Sequence, residues 1–380
     1  MEVRQLTSNG DLKRYDGWLR SHPQGTLWQS LERQQYVESL GQQTRLYVAE
    51  NDSQITASAL VVIDKTAFGF STWEIPRGPL WAEGVGHGAL DYLLESIISD
   101  ARKNKCFAFY ISPINALPPT PYALHPSHRH VYPEATRLID LRPPEAEILK
   151  QMKQKGRYNI RVAEKHGVQV KESTDIDSFY RLVSQTSGRD GFTALPKKNY
   201  QSFLNHLPGS FLLLAYSSES SASSESSESS QNPIAGLLGV IWNGVGIYYY
   251  GASDYAYRPF MAPYALQWAA MQRCKTEGCH TYDLLGVAPL SPLTPLPKGE
   301  GERQAAGATG APLPPAWPAK LERSRLEEGA GGWRKTPHPW SGITAFKEQF
   351  GGQLITHPPE QMIVLRPGVK RLLDVKRRLW

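Results

Sequence analysis

Apolar residues recur at helical spacing across residues 88–103, where Leu90, Leu93, Leu94, Ile97 and Ile98 share one face. The run Cys106 to Ser112 follows as an apolar strand, and the pair reads as βαβ-type organisation. Upstream, Leu46 to Ala49 and Ile55 to Ile63 are strand-like about the turn Asn51-Asp52-Ser53, and another strand runs from Phe68 to Glu74. Short helices are expected over residues 11–20 and 28–40, with Ser30 a candidate N-cap and Arg33 three residues on. Leu138 to Leu141 reads as a strand, and a helix starts over Pro143 to Lys155.

The first half then recurs. Helix 175–187, loop 188–196, helix 197–207, strands 210–216, 234–242 and 245–251, and helix 262–277 echo the order of elements in residues 11–103. A duplicated α/β unit accounts for both length and order, with domains expected at residues 1–140 and 141–380. Two stretches depart from this pattern. Residues 217–232 are almost wholly Ser and Glu, and residues 288–340 are rich in Pro, Gly and Ala. Both read as disordered insertions.

Composition narrows the class. A chain of 380 residues is long enough for two ordinary cores, and a net charge of +6 suits an anionic partner such as tRNA, a nucleotide-sugar diphosphate or a membrane surface. Cys106, Cys274 and Cys279 have no metal spacing, which points to a reducing compartment. No signal-peptide layout and no apolar run near the ~20 residues of a spanning helix are present, so a cytoplasmic protein is expected. His125, His128 and His130 lack any carboxylate or cysteine pattern beside them, and no metal is expected.

Candidate chemistry lies with a few cations. Residues 343–352 read Ile-Thr-Ala-Phe-Lys-Glu-Gln-Phe-Gly-Gly: a helical turn with Lys347 between Phe346 and Phe350, stopped by two glycines. Lys347 is a compact cation suited to a developing oxyanion or a phosphate; a solvated lysine on a short amphipathic helix is the plainer alternative. Ile75-Pro76-Arg77-Gly78-Pro79 is a fixed turn that either displays Arg77 or is merely a rigid loop. Arg157, Arg161 and Lys165 lie four apart on one helix face, a ridge suited to a phosphodiester backbone or simply solvated. Arg189, at a helix end, is a further anion ligand candidate.

Taken in order, these stretches resemble the FemABX-type aminoacyl-tRNA-dependent transferases that build peptidoglycan side bridges. The matching pieces are Ile75 to Pro79, Arg157 to Arg161 with Ala163 to Lys165 and Gly167-Val168, Arg189 to Phe192, and Tyr250 to Ser253. Ala262 to Tyr264 with Leu266 to Trp268, Tyr282 to Gly286, and Phe346-Lys347 with Phe350 to Gly352 complete the set. The resemblance implies an α/β fold of two tandem acetyltransferase-like (GNAT-type) domains across a substrate cleft. It also implies a reaction in which an amino group of a peptidoglycan-precursor stem peptide, lipid-linked or UDP-linked, attacks the aminoacyl ester of a charged tRNA. Phe346 and Lys347 would then sit at the tRNA acceptor end as catalytic residues, and Arg189 at the precursor's diphosphate. Arg33 stands near the place of a diphosphate-binding lysine common in the family. The long helical arm of some members is absent.

On these terms no covalent enzyme intermediate and no cofactor beyond the aminoacyl-tRNA co-substrate are needed, because the ester is already activated. Alignment and a cation near the oxyanion suffice. Tyr250, Tyr255 and Tyr264 are expected to line the acceptor pocket and Arg77 to bind substrate, with Arg157, Arg161 and Lys165 on the tRNA. A lipid-linked acceptor implies peripheral contact with the inner membrane face, for which the basic C-terminus from Arg366 to Arg378 is a candidate, with an ordinary solvated helix the plainer alternative. Two other readings stay open: an acyl-CoA-dependent N-acyltransferase, which needs a glycine-rich pyrophosphate loop after a strand, and a non-catalytic paralogue that binds tRNA or precursor.

Overall fold

The apolar runs become strands of two separate sheets in the computed structural model, which describes residues 1–82, 88–127, 129, 131–190, 192–217, 232–289 and 340–379. Both insertions lie essentially outside the described residues, as do His128 and His130. Residues 1–132 with 357–380 form one unit, and residues 133–289 with 340–356 the other.

The first unit holds β1 (Glu2–Gln5), α1 (Asn9–Ser21), α2 (Leu31–Ser39), β2 (Gln43–Asn51), β3 (Gln54–Lys65), β4 (Ser71–Pro76), β5 (Leu80–Trp81), α3 (Gly88–Lys103), β6 (Cys106–Ser112) and β7 (His125–Pro126). The second holds β8 (Ala135–Asp140), α4 (Glu145–Gln151), α5 (Gln154–Lys165), β9 (Gln169–Ser173), α6 (Ile176–Asp190), α7 (Lys197–His206), β10 (Ser210–Tyr216) and β11 (Ala235–Trp242). It continues with β12 (Val245–Ser253), α8 (Ala262–Thr276), β13 (Thr281–Asp283), α9 (Ser341–Lys347) and β14 (Gln353–Thr356). The chain ends with β15 (Gln361–Val364) and α10 (Pro367–Leu379), which return to the first unit. The domain boundary read from the sequence therefore changes: residues 357–380 belong with the first sheet, because β15 pairs antiparallel with β6.

The duplication is visible in the strand order. The first sheet runs β1-β2-β3-β4-β6-β15-β7 and the second β9-β10-β11-β12-β13-β8-β14. Position by position the pairings agree: three antiparallel neighbours, one parallel pair (β4 with β6, β12 with β13), then two more antiparallel strands. The parallel pair in each unit is bridged by a helix, α3 or α8, as a crossover connection requires. On α3 the stripe Leu90, Leu93, Leu94, Ile97 and Ile98 is almost fully buried on the first sheet. Each such side chain contributes about 1.5–3 kcal/mol of burial. Ser30 caps α2 as expected, its hydroxyl accepting from the Arg33 backbone N–H at 3.1 Å.

Candidate active site around Lys347

The Phe-Lys turn is locked into the second unit by three glycines and two cations. After α9 the chain tightens into a 3₁₀ turn, Glu348–Phe350, and leaves it through Gly351 and Gly352 at φ +77° and +78°. A β-carbon on Gly351 would stand 2.4 Å from the Gln151 carbonyl oxygen, and one on Gly352 2.6 Å from that of Leu138. Gly156 of α5 is equally constrained: its β-carbon would meet the Gln349 carbonyl oxygen at 2.3 Å. Arg137 donates to the Gly352 carbonyl at 3.0 Å and to Glu348 at 3.3 Å, and Lys153 donates to Glu348 at 2.9 Å. Backbone–backbone contact fixes the turn, and only residues without a side chain permit it.

That turn carries Lys347 inward. Its side chain is 5% exposed, its Nζ donates to the Gly286 carbonyl at 2.9 Å, and the ammonium lies 5.3 Å from the centre of the Tyr248 ring. Burial pushes its pKa down to about 7, with the charge of Asp283 opposing the shift. Asp283 ends β13 fully buried; it accepts from the Thr136 hydroxyl and from the Leu285 N–H at 2.7 Å. The Tyr248 hydroxyl is pushed up to about 12 by burial and remains neutral. Gly251 gives that tyrosine its room, since a β-carbon there would lie 2.0 Å from the Tyr248 hydroxyl oxygen.

Phe346, half-buried, forms an aromatic wall beside the lysine. Its ring lies 5.0 Å from Tyr264 and 5.2 Å from Phe350, with Tyr264 5.5 Å from Phe350. Burial raises the pKa of Tyr264, and Asn159, a buried residue of α5, partly offsets that shift. Three of the matched motifs thus meet within one unit: Tyr158-Asn159 on α5, Tyr264 on α8 and Phe346-Lys347 on α9.

The other residues singled out in the sequence fall elsewhere. Tyr250 packs against Tyr200 and Phe203 of α7, whereas Tyr248 packs in the cluster that holds Phe346. A register shift between Leu238 and Gly239 inserts Tyr249 between the pairs Leu238–Tyr250 and Gly239–Tyr248, so the alternation of faces is broken there and Tyr248 and Tyr250 part company. Arg189 is exposed at the end of α6, paired with Asp190 at 2.6 Å and lying 5.3 Å from the ring of Tyr255. Tyr255 is 54% exposed, with Arg258 on its ring at 4.3 Å. Of the α5 ridge, Arg161 and Lys165 are exposed, but Arg157 turns back to cap α4 through the carbonyls of Lys150 and Met152. Arg33 and Arg77 belong to the first unit and are each 2% exposed. Arg33 stacks on Trp28 at 4.4 Å, and Arg77, far from being displayed by its turn, lies buried; burial of His357, reinforced by the Arg77 charge, lowers that histidine's pKa. Asp283, Asn159, Tyr248 and the Gly286 carbonyl went unselected in the sequence; all but Tyr248 stand inside quoted motifs, which was the available signal.

Two duplicated α/β units, one of them burying a lysine beside a neutral tyrosine, define the class of fold: a tandem GNAT-like arrangement. The FemAB family model matches residues 11–119, 124–218 and 215–290, and the chain belongs to that family of peptidoglycan bridge-forming aminoacyltransferases. It is 21% identical over 357 residues to the lipid II:glycine glycyltransferase of Staphylococcus saprophyticus, covering 76% of this chain and 85% of that protein. The crystal structure of FemX superposes with a TM-score of 0.72 at 18% identity, covering 98% of this chain and all of that one. A tandem GNAT protein from the clavulanic acid biosynthesis pathway matches at a TM-score of 0.49 and 12% identity, covering 95% and 96% of the two chains. Among the described residues no helix is long and apolar enough to cross a membrane.

Proposed function

We propose that this chain transfers an amino acid from an aminoacyl-tRNA to an amino group on a peptidoglycan-precursor stem peptide. The carrying observation is Lys347, a buried lysine held on a backbone carbonyl with an aromatic wall at its side. The family membership and the lipid II-directed relative support the acceptor class; the donor is inferred from the chemistry. The acceptor nitrogen bonds to the ester carbonyl carbon, the bond to the tRNA ribose oxygen breaks, and that oxygen leaves with the proton the amine gives up. Charge develops on the carbonyl oxygen in between. Lys347 in its protonated form stabilises that charge, and burial strengthens the interaction relative to water. Phe346 offers a face for the terminal adenine or its sugar. Exposed Arg161 and Lys165 supply backbone charge for the tRNA, and Arg189 an anion contact for the precursor.

The test uses tRNA charged with labelled amino acids, a lipid-linked and a UDP-linked precursor, and labelled acetyl-CoA in parallel, comparing wild type with Lys347→Ala. Label moving from tRNA to precursor, and falling on the order of 10²–10³-fold in the variant, is the expected result. Label moving only from acetyl-CoA assigns the chain to the acyl-CoA enzymes instead. Binding of charged tRNA with no transfer to either precursor overturns the catalytic reading.

A further inference from the structure

We propose that Asp283 is the positioning residue behind Lys347, setting the turn that carries the Gly286 carbonyl to the lysine. The inference rests on the reaction proposed above and extends its site to residues 283–288, which run beside β8 and α9. Leu285 is the unusual one: it is 1% exposed and stands at φ +53°, a left-handed backbone region in which a leucine is strained. Strain of this kind persists only where neighbouring bonds over-determine the backbone. The Leu284 and Val287 N–H groups each donate at 3.0 Å, to the carbonyls of Arg137 and Ala135, and tie the turn to β8. The Ala288 N–H donates to the Thr344 hydroxyl at 2.8 Å and ties it to α9, one helical turn before Lys347. Leu285 itself is held by a side chain: Asp283 Oδ1 accepts from its N–H at 2.7 Å and also from the Thr136 hydroxyl. Gly286 then offers its carbonyl to Lys347 Nζ at 2.9 Å. It is closely packed, since a β-carbon there would meet Pro133 at 3.1 Å and Trp340 at 3.2 Å.

An asparagine would supply the same acceptor oxygen, so the acid calls for a separate reason. A fully buried carboxylate is costly to desolvate, and what it adds is charge. That charge opposes the deprotonation of Lys347 that burial favours. Asp283 thus acts on the lysine twice, through the backbone of Leu285 and Gly286 and through its field. The surrounding ionisable groups are Tyr248 on β12, Tyr264 and Cys274 on α8, Tyr282 on β13 and Glu348 in the turn after α9. Burial raises the three tyrosines, contact with Cys279 raises Cys274, and Glu348 is paired with Arg137 of β8 and with Lys153. Replacing Asp283 should therefore move both the place and the proton of Lys347.

The test follows transfer from charged tRNA to precursor across a pH series in the full chain. Asp283→Ala removes both the acceptor and the charge; its kcat should fall about 10²-fold with KM for the precursor unchanged. Asp283→Asn keeps the acceptor and removes the charge. It should restore most of that loss at low pH, and its transfer should decline with rising pH earlier than wild type does, because less charge holds the proton on Lys347. In a Lys347→Met background either substitution should cost no more than about a further twofold, since Asp283 acts through the lysine. Should Asp283→Ala fail to fold by circular dichroism, the asparagine variant and its double substitution decide alone. Alanine as active as wild type, an asparagine variant that declines at the wild-type pH, or losses that multiply in full with Lys347→Met each overturn the proposal. Wild type that transfers nothing overturns the reaction instead, and Lys347 is then followed by stability. The gain in unfolding free energy of Asp283→Asn over its Lys347→Met double variant should begin at lower pH than the gain of wild type over Lys347→Met; an unmoved onset overturns the proposal there.

Discussion

Each unit holds a cation beside its central parallel pair of strands, and the two cations are treated in opposite ways. In the second unit the central parallel strand β13 ends on Asp283, whose carboxylate is bonded by Thr136 of the neighbouring β8, and Lys347 lies within reach of its charge. In the first unit the equivalent strand β6 ends on Ser112, whose hydroxyl donates to Glu360 at the start of β15 at 3.0 Å. Acid and hydroxyl have exchanged strands. The cation there is Arg129, bidentate on Glu360 at 2.9 and 2.8 Å and bonded to Glu74 at 2.9 Å, with its guanidinium 3.4 Å from the Tyr110 ring. Burial disfavours its charge, but the Glu360 bonds and the Glu74 charge more than restore it, and its pKa is raised. Lys347 has a backbone carbonyl and a ring instead of two carboxylates, and its pKa falls. One fold thus presents a neutralised, structural arginine in one copy and a poised lysine in the other.

The sharpest way to break the comparison is to remove the arginine. Arg129→Met strands two buried carboxylates and should cost about 3–5 kcal/mol of unfolding free energy, read by denaturant melts; a loss below about 1 kcal/mol would mean the cluster is not structural. Next comes Lys347→Met, which should reduce transfer on the order of 10²–10³-fold while circular dichroism stays native. A variant that unfolds instead would make Lys347 structural like its counterpart.

The comparison also shows what could be seen in the sequence. The repeat was legible, because helices at residues 175–187 and 197–207 and the strands after them bury apolar faces at the periods that their types require. The edge strand β9 and the short inner strand β13 were not: β9 is mostly exposed, and β13 has three residues. The single helix expected from Pro143 is broken before Lys153, where the Lys153 N–H donates to Gln349 at 3.0 Å, a contact some 200 residues away in the chain. Phe346-Lys347 was legible as a motif, but its burial was not, since that depends on Gly156 and Gly351 meeting distant carbonyls. Tyr250 stood in a matched motif and Tyr248 did not, and alternation alone cannot reveal the bulge that separates them. A pair of glycine substitutions separates local from distant causes. Gly351→Ala meets both a positive φ and the Gln151 carbonyl and should cost about 1–3 kcal/mol and lower transfer. Gly41→Ala in the first unit, at φ +88° with no atom within 4 Å of its β-carbon, should cost only about 1 kcal/mol and leave transfer intact. Thermal melts and rates on both variants check the contrast.

The finest test concerns the proton on Lys347. Its folded pKa of about 7 lies below the ordinary lysine value of 10.5, so between those values the unfolded chain binds a proton that the folded chain lacks. Stability must therefore rise with pH across that window, by up to about 1.4 kcal/mol per unit from this one group, and be independent of it below pH 7, where both states are protonated. Other groups titrate there too, and burial raises the nearby tyrosine, so the quantity to measure is a difference. Unfolding free energies of wild type and Lys347→Met, taken at several pH values from 7 to 10, should converge or diverge with that slope in favour of wild type at high pH. The same substitution pair measured for activity completes the argument: a cation at the oxyanion predicts wild-type transfer falling as pH rises through about 7, in the range where stability is gained. A flat stability difference would mean that Lys347 keeps an ordinary lysine's proton, and with it the contrast to Arg129 would vanish.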